Sequence, residues 1–423
     1  MKKFLSRKYN VLITFVLILF TTLAFDISAF ANSDKYVSPN GNDSNNGTLS
    51  APYKTIARAI AKSNPGDTIL VRGGTYQEAI RISKFGVGQQ KWLTIKPYNN
   101  EKVILDGAKS DPKSSVRGII IENSHYIKID NLIIQNFTST NADASRAGIL
   151  VRDGSTNIEL TNNEIYKIEN HAPKGSARGI YIFGNTLTPT KNILIKNNYL
   201  HDLVLGRSET ITVSGNVTDF QILNNRLVNN TNIGIDVAGH FGACSLAGCE
   251  DIARNGIVAY NYVEGMDSYN SPAYPSGGGS SGGIYVDGGK NITIAKNIVT
   301  KSNFGIEVAS ENKGKLAENI TVFNNHLSEN HKAGIVLGGS STSNGGTKNV
   351  RVMDNIFMLN NAKSTGYTDV SFQHNNQDVF FDDNSYFTCY SSDVYSYLRN
   401  ADKKSITLDK NIGVTQIQSS CSK

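Results

Sequence analysis

The hydrophobic residues of this chain recur in short blocks of one kind: a Gly-Ile pair, one variable residue and one aliphatic residue. Within each block the positions alternate with a period of two, which is typical of a β-strand with one buried face. The blocks lie at Gly118–Ile121, Gly148–Val151, Gly179–Ile182, Gly234–Val237, Gly283–Val286, Gly305–Val308 and Gly334–Leu337, with Thr210–Val213 filling one longer interval. The pattern predicts a chain of short strands.

A second alternating block follows each of the first and ends in Asn, one variable residue and an apolar residue, as in Asn291–Val299 and Asn319–Leu327. A coil that returns after two or three short strands and buries one face of each is a parallel β-helix. We expect the aligned asparagines to stack as a ladder at the bends; they are Asn131, Asn163, Asn198, Asn225, Asn261, Asn297, Asn325 and Asn355. The predicted fold class is all-β, a single-stranded parallel β-helix.

The two ends of such a coil need covers, because an open rung exposes unpaired backbone and apolar interior. Tyr53, Ile56, Ala57 and Ile60 fall on one face of a helical pattern and predict an N-terminal capping helix. The predicted organisation is one domain over residues 32–423. It has an N-cap at about 32–75, coils at about 76–361, and C-terminal coils and a cap at about 362–423.

Residues 1–31 have a basic start, an apolar run from Val11 to Phe25 and an A-x-A exit at Ala29–Ala31, which predict a cleaved secretory signal peptide. An uncleaved membrane anchor is the alternative. The leader accounts for +3 of the net charge of +6, so the remaining balance argues against a nucleic-acid partner. We expect a secreted, extracellular monomer without a membrane span after cleavage.

The chain has four cysteines. Outside the cytoplasm an even number favours disulfides, and the spacing suggests the pairs Cys244–Cys249 and Cys389–Cys421. A zinc site would need two close pairs or histidine partners, and only one close pair is present.

The variable position of each Gly-Ile block points outward, and in the middle rungs it becomes acidic or aromatic. In the predicted register, Asp236, Tyr285 and Glu307 form a column, with the two carboxylates about 9–10 Å apart. Asp287 lies diagonally beside them. Three acids this close are either neutralised by a bound Ca²⁺ or retain a proton with a raised pKa, so this cluster is the candidate site.

Two insertions leave the coil around this cluster, at 239–254 and 264–283. Loops gathered on one side of a rigid scaffold commonly wall a binding groove. Arg178, Tyr181, Tyr269 and Tyr274 are candidate substrate-binding residues, although tyrosines of this kind more often serve packing. The second insertion contains a G-x-G-x-x-G match, but a strand is predicted after it where a dinucleotide loop would open a helix, so no nucleotide cofactor is expected.

With the opening Tyr36–Glu78, these repeats resemble the secreted right-handed parallel β-helix proteins of the pectin-lyase-like superfamily, including polysaccharide lyase family 9. The resemblance covers essentially the whole mature chain and implies the right-handed fold and a polysaccharide substrate. Family 9 lyases place adjacent aspartates around calcium, with a lysine base. The only Asp-Asp pair here, Asp382-Asp383, lies near the C-terminal end. The Asn-Thr-Asp and His-Gly signatures of polygalacturonases and the Asp-Pro-His-Asp signature of alginate epimerases are also missing.

The favoured function is a lyase that cleaves a uronic-acid-containing polysaccharide by β-elimination in a groove on the middle rungs. Elimination requires a base and a positive charge that stabilises the enolate-like intermediate. Ca²⁺ on Asp236, Asp287 and Glu307 would supply the charge. The catalytic candidates are Asp236, Tyr285, Asp287, Glu307, Lys290, His240 and Arg254. The alternatives are a glycoside hydrolase that uses paired carboxylates in the same groove, a sugar epimerase and a non-catalytic glycan-binding protein.

Overall fold

The structure is a computed structural model that describes residues 33–274, 279–361, 367–388, 393–398, 405–409 and 414–416. The predicted leader at 1–31 and the predicted Cys389–Cys421 pair lie outside the described residues. The described residues from Ser33 onward fall within one compact unit. The finer division of that unit into cap and coils stays a prediction.

The described chain forms three parallel sheets, and it passes from sheet A to sheet B to sheet C before it returns one rung further on. Sheet A consists of β1 (Asp34–Val37), β2 (Thr68–Val71), β5 (Leu93–Pro97), β8 (His125–Asp130), β11 (Thr156–Thr161), β14 (Thr190–Lys196), β17 (Val217–Leu223), β20 (Arg254–Ala259), β23 (Lys290–Ala295), β26 (Leu316–Phe323), β29 (Gly346–Met353), β32 (Asn376–Asp382) and β35 (Ile406–Thr407).

Sheet B consists of β3 (Gly74–Tyr76), β6 (Val103–Asp106), β9 (Ile133–Ser139), β12 (Glu164–Asn170), β15 (Tyr199–His201), β18 (Arg226–Val228), β21 (Tyr262–Glu264), β24 (Ile298–Thr300), β27 (His326–Ser328), β30 (Ile356–Met358), β33 (Ser385–Thr388) and β36 (Val414–Gln416). Sheet C consists of β4 (Ile80–Ser83), β7 (Val116–Glu122), β10 (Arg146–Arg152), β13 (Ala177–Gly184), β16 (Ile211–Gly215), β19 (Ile235–Ala238), β22 (Gly282–Asp287), β25 (Phe304–Ala309), β28 (Ala333–Leu337), β31 (Val370–Phe372) and β34 (Tyr395–Tyr397). The predicted parallel β-helix is confirmed.

The repeated isoleucine of each Gly-Ile block points into the core, as predicted. The following isoleucines are fully buried: Ile119, Ile149, Ile180, Ile211, Ile235, Ile284, Ile306 and Ile335. The glycine before each of them marks a place where backbone passes close. A Cβ on Gly148 would lie 2.7 Å from the carbonyl oxygen of Gly179 on the next rung and 2.8 Å from Ile165. Glycine therefore lets the chain turn into sheet C without a clash.

A buried asparagine ladder runs along the turn between sheets A and B. Its members are Asn163, Asn198, Asn225, Asn261, Asn297, Asn325, Asn355 and Asn384. The Nδ2 of Asn225 donates to Asn261 Oδ1 at 3.0 Å and to the carbonyl of Ile195 at 3.0 Å, so each side chain links its own rung to both neighbours. The predicted ladder is confirmed for every member except Asn131.

The prediction that Asn131 belongs to the ladder is wrong by one position. The register pairs Asp130 with Thr161, which places Leu132, and not Asn131, at the ladder position beside Asn163. Asn131 occupies the preceding position, which is exposed and has a φ of 57°. Asn162-Asn163 is a double asparagine, and Asn131 matches its first member.

One α-helix, α1 (Ile56–Ala61), packs on β1, β2 and β4 at the N-terminal end of the described coil. Its buried face is Ile56, Ala59 and Ile60. The prediction that Ala57 belongs to this face is wrong, because the helix begins at Ile56 and the i+3 and i+4 positions are then 59 and 60. Single 3-10 turns occur at Tyr98–Asn100 and Ser268–Asn270. Within the described residues, no helix combines the length and the apolar character that a membrane span requires.

Candidate active site

The outward column predicted for sheet C is present in the register of the strands. Thr212 pairs with Asp236, Asp236 with Tyr285, and Tyr285 with Glu307. Asp287 follows Tyr285 on the same strand, two residues on and therefore on the same face. The strand spacing puts Asp236 and Glu307 about 9–10 Å apart, with Asp287 about 7–8 Å diagonally from Asp236.

A cavity of about 450 Å³ opens over this column. Its floor comes from β13, β16, β19 and β22, and its walls come from the two insertions and from the turns beside the strands. It is lined by Arg178, Tyr181, Phe183, Arg207, Glu209, Thr212, Ser214, Asn232, Ile233, Asp236, Ala238, Phe241, Gly242, Ala243, Tyr274, Tyr285, Asp287 and Glu311. The described residues thus combine four acids, two arginines and several aromatic rings in one cavity.

Asp236 lies at the centre of the cavity floor and is 7% exposed. Within the part of the chain that the structure describes, its Oδ1 is buried without a hydrogen-bond partner. Burial raises the pKa of Asp236 well above its ordinary value, and the negative charges of Glu209 and Asp287 raise it further. A protonated carboxyl group at this position can donate to a bound molecule.

Asp287 is 4% exposed, and burial raises its pKa to about 8, with a further contribution from Glu311. Two contacts favour its charged form: the backbone N–H of Glu311 donates to its Oδ1 at 2.8 Å, and the Tyr285 hydroxyl donates to its carboxylate. When the pair carries a single negative charge, that charge is therefore better stabilised on Asp287 than on Asp236. Since the two carboxyls interact, their protons come off as a coupled pair.

Glu209 and Arg178 form the side of the cavity next to Asp236. The Thr212 hydroxyl donates to Glu209 Oε2 at 2.8 Å, and Arg178 Nε lies 3.6 Å from the same oxygen. The Arg178 guanidinium also sits over the Tyr181 ring, 4.3 Å from its centroid. These contacts fix a cation and an aromatic ring at one end of the acid column.

The sequence-predicted residues separate into two groups. Arg178, Tyr181, Tyr274, Asp236, Tyr285 and Asp287 line the cavity. Glu307 lies on the next rung outside the lining, and burial raises its pKa to about 8. Tyr269 is 51% exposed, and its ring lies against Gly279 instead of the cavity.

Three candidate bases lie outside the cavity lining. Arg254 and Lys290 are neighbours on sheet A, where they pair with Glu250 at 3.0 Å and with Glu318 at 3.2 Å. His240 lies on the first insertion beside Gly288, and burial lowers its pKa. The structure does not bring these three side chains to the acids.

The first insertion is closed by the predicted Cys244–Cys249 disulfide, which is confirmed. Asp251 also fixes this loop, because its carboxylate accepts from the backbone N–H groups of Gly242 and Cys244 at 2.6 and 3.0 Å. Phe241 and Ala243 are thereby held against the cavity.

Sequence reasoning missed Glu209, Glu311 and Arg207, which line the cavity from turns. Turn residues carry no period-two signal, so their direction could not be read from alternation. Two positional signals were present. Glu209 directly precedes the block in which Thr210 replaces glycine, and Glu311 lies four residues after Glu307.

The described residues do not form a metal centre. No three His, Cys, Asp or Glu side chains among them are placed to hold one ion. Asp236 and Asp287 lie on adjacent rungs of sheet C, and Glu307 lies on the rung after Asp287. The donor set does not fit the expected Ca²⁺, which stays a prediction.

Comparison with known proteins identifies the class first. The structure superimposes on the GH136 lacto-N-biosidase from Eubacterium ramulus with a TM-score of 0.62 and 14% identity, over 91% of this chain and 68% of that one. The family described as "Pel9A-like, right handed beta helix region" matches residues 35–204. The chain is therefore a right-handed parallel β-helix protein, as the resemblance implied.

Two relatives in sequence place the chain more closely. It is 36% identical to the uncharacterized protein YwoF of Bacillus subtilis (strain 168) over 329 residues, which are 78% of this chain and 69% of YwoF. It is 33% identical to pectate lyase PEL9 of Emericella nidulans over 137 residues, 30% of this chain and 31% of PEL9. The chain belongs to the same family as YwoF, and its residues 35–204 match the Pel9A-like right-handed β-helix model. The family match ends at residue 204, before Glu209, Asp236, Asp287 and Glu311.

Proposed function

We propose that this protein is a carbohydrate-active enzyme that hydrolyses a glycosidic bond in the cavity on sheet C. The observation that carries the proposal is Asp236, a buried carboxyl in the cavity that has a raised pKa and lies one rung from Asp287, and the Oδ1 of Asp236 has no hydrogen-bond partner among the described residues. Hydrolysis needs one carboxylic acid that protonates the leaving oxygen and one carboxylate that activates water. The surroundings of Asp236 favour its protonated form, and the two contacts of Asp287 favour its charged form, as the two roles require.

In this mechanism Asp236 is the general acid and Asp287 is the general base. The proton of Asp236 passes to the glycosidic oxygen as the bond from that oxygen to the anomeric carbon breaks. A water molecule attacks the anomeric carbon and gives its proton to Asp287. The estimated separation of about 7–8 Å lies in the range of about 6.5–9.5 Å typical of inverting enzymes, so the product should have the inverted anomeric configuration.

The pKa of Asp287, about 8, sets the acidic limb of the activity profile. The base must be ionised, so the rate should rise as the pH approaches 8 and should fall again once Asp236 loses its proton. The Asp287→Asn variant should lose activity at every pH, because no other group in the described cavity is held at the same position.

A second candidate reaction is β-elimination on an acidic polysaccharide. It is favoured by an arginine group on the rungs before the acid column. Arg117 donates only to Ser145 Oγ, at 3.3 Å, among the described side chains, and burial together with Arg152 and Arg178 lowers its pKa. Arginines of this kind suit a uronate, and residues 35–204, which include them, match the Pel9A-like family. Arg178 and Tyr285 are the candidate bases within the cavity. Hydrolysis is preferred because the acids dominate the lining.

The substrate and location are part of the same proposal. We infer a polysaccharide substrate from the family and from the pectate lyase among its relatives. Secretion is supported by the predicted leader at 1–31 and by the Cys244–Cys249 disulfide.

The test is a digest of a panel of neutral and acidic polysaccharides, with the products read by mass spectrometry and ultraviolet absorbance. Hydrolysis adds one water per cleavage and gives no ultraviolet absorbance, and it persists after chelation. Unsaturated products would overturn hydrolysis and establish elimination. Epimerised but uncleaved chains, or binding without turnover across the panel, would overturn both reactions. Asp236→Asn is the test variant and Asp354→Asn, an exposed acid remote from sheet C, is its matched control.

A further inference from the structure

A second groove of about 440 Å³ lies on the outer face of sheet A, separate from the candidate active site on sheet C. It crosses strands β11, β14, β17 and β20 and ends at the partly exposed Trp92, next to β5. It is lined by Trp92, Asn157, Ile158, Glu159, Asn192, Ile193, Leu194, Asp219, Phe220, Gln221, Asn255 and Ile257. None of these residues takes part in the proposed reaction.

The polar side of the groove is a single column of kinked residues. Asn157, Asn192, Asp219 and Asn255 are opposite one another in the register of sheet A. Their φ angles are 56°, 57°, 58° and 55°, a left-handed conformation that asparagine and aspartate adopt more readily than other side chains. The column is therefore built into the backbone, and its polar groups are spaced about 4.8 Å apart by the rungs.

Asp219 interrupts an otherwise continuous chain of amide hydrogen bonds in this column. Asn192 donates to Asn157 at 3.1 Å, and beyond the groove Asn291 donates to Asn255 at 3.0 Å and Asn319 to Asn291 at 2.8 Å. A carboxylate cannot donate to Asn192, and Asn255 donates instead to Thr218. Within the described residues, Asp219 is exposed and has no hydrogen bond or ion pair of its own. The groove thus holds unused acceptors at its centre.

The neighbouring outward column of the groove alternates between polar and apolar side chains: Glu159, Leu194, Gln221 and Ile257. Leu194 and Ile257 point outward beside the column, and Ile257 is 42% exposed. Trp92 closes one end, with Tyr126 packed edge-on against it at 5.5 Å between ring centroids. A row of acceptors beside two aliphatic side chains and an indole ring matches a pyranose, which presents C–H groups on its faces and hydroxyl donors at its edge. An aromatic ring of this kind offers a large apolar contact at low entropic cost.

We propose that this groove is a second, non-catalytic binding site for a neutral glycan chain. Asp219 and the carbonyl of Asn192 accept from sugar hydroxyls, while Trp92 and Ile257 contact ring faces. The charge of the groove selects the occupant. Among the described residues, Asp219 has no ion-pair partner and Glu159 pairs only with Lys128, at 3.2 Å, so an anionic polymer would be repelled. Binding here does not depend on which reaction sheet C performs.

Trp92 is the only tryptophan of the chain, so its fluorescence reports this groove alone. The Asp236→Asn protein, which should not cleave the probe, is titrated with mixed-linkage β-glucan, xyloglucan and galactomannan, with polygalacturonate as the anionic comparison. At least one neutral polymer should shift the Trp92 emission, and polygalacturonate should not. The same polymer should retard the protein in an affinity gel.

Asp219→Ala should weaken that binding at least tenfold, and Asn319→Ala, at the same column position two rungs beyond the groove, should leave it unchanged. Both positions are exposed, so both variants should fold, and circular dichroism checks this. The proposal is overturned if no neutral polymer shifts the emission, if polygalacturonate binds equally well, or if the two variants behave alike. If the unmodified protein cleaves no polymer of the panel but this groove still binds one, the proposed reaction is contradicted and the binding site is not.

Discussion

Two buried polar columns run along this β-helix, the asparagine ladder between sheets A and B and the acid column on sheet C. Every ladder amide in the interior has partners on both neighbouring rungs, as Asn225 has in Ile195 and Asn261. Asp236 has a buried oxygen that finds no partner in the part of the chain that the structure describes, and its pKa is raised by burial. Satisfied polar burial stabilises a fold, whereas unsatisfied polar burial costs stability and persists at sites that do chemistry.

The largest effect should come from Asp236→Asn. We expect the rate of glycan cleavage to fall by about 10²–10⁴-fold, because the amide cannot deliver a proton to the leaving oxygen. The free energy of unfolding at neutral pH should stay the same or rise, since the substitution removes a carboxyl that is costly to ionise. Rates and urea unfolding are measured on the same preparation. Equal activity in Asp236→Asn and the control Asp354→Asn would remove Asp236 from the mechanism.

The converse result is expected for the ladder. Asn225→Ala removes the acceptor of Asn198 and the donor to Ile195, which leaves buried groups on the preceding rung unpaired, and it takes one of two donors from Asn261 on the next rung. The free energy of unfolding should fall by about 3 kcal/mol, from two or three unmet hydrogen bonds at roughly 1 kcal/mol or more each. The rate of glycan cleavage per folded molecule should not change. The exposed Asn319→Ala is the control and should cost only about 1 kcal/mol, because alanine adopts its φ of 57° less readily than asparagine. A similar loss in both variants would show that burial of the ladder is not what matters.

The pH dependence of stability should follow the acid column. The pKa values of Asp287 and Glu307 are raised to about 8, above the unfolded value near 4, so the folded chain binds more protons between these limits. The contribution of these groups to the free energy of unfolding should therefore be greatest below about pH 4 and fall as the pH rises from 4 to 8, by at most about 1.4 kcal/mol per pH unit for each group. Chemical unfolding of Asp287→Asn/Glu307→Gln should show a flatter profile over that window. An unchanged profile would mean that other groups cause the dependence.

The sequence predicted the coil, the inward isoleucines and the outward column of Asp236, Tyr285 and Glu307, because each follows from a period of two anchored by a glycine at the bend. This glycine repeats in nearly every rung, so the register assigned to one strand can be checked against the strands on both sides. The misplacement of Asn131 shows the limit of this reasoning. At the first rung of the ladder the double asparagine is reduced to one, and the spacing alone did not decide which of the two positions it filled.

The bases could not be predicted because they depend on the turns. Lys290 and Arg254 lie close to the acids in sequence, but the chain turns into sheet A before each of them. Their side chains form ion pairs with Glu318 and Glu250. Glu209 reaches the cavity from the turn before sheet C and Glu311 from the turn after it, where no alternation constrains the direction of a side chain. In a β-helix, strands set the columns, and turn length decides which additional side chains reach them.

The disulfide should produce the smallest effect, because Asp251 holds the same loop independently of it. Replacing both Cys244 and Cys249 by serine should lower the free energy of unfolding by about 2 kcal/mol or less, as expected for so short a closed loop. The KM should rise by about threefold with kcat unchanged, since Phe241 and Ala243 form a wall and do not touch the reacting carboxyls. Adding Asp251→Ala should raise the KM further, because it frees the N–H groups of Gly242 and Cys244. A fall in kcat in the serine variant would instead show that this loop positions Asp236, although none of the described contacts of the loop involves Asp236.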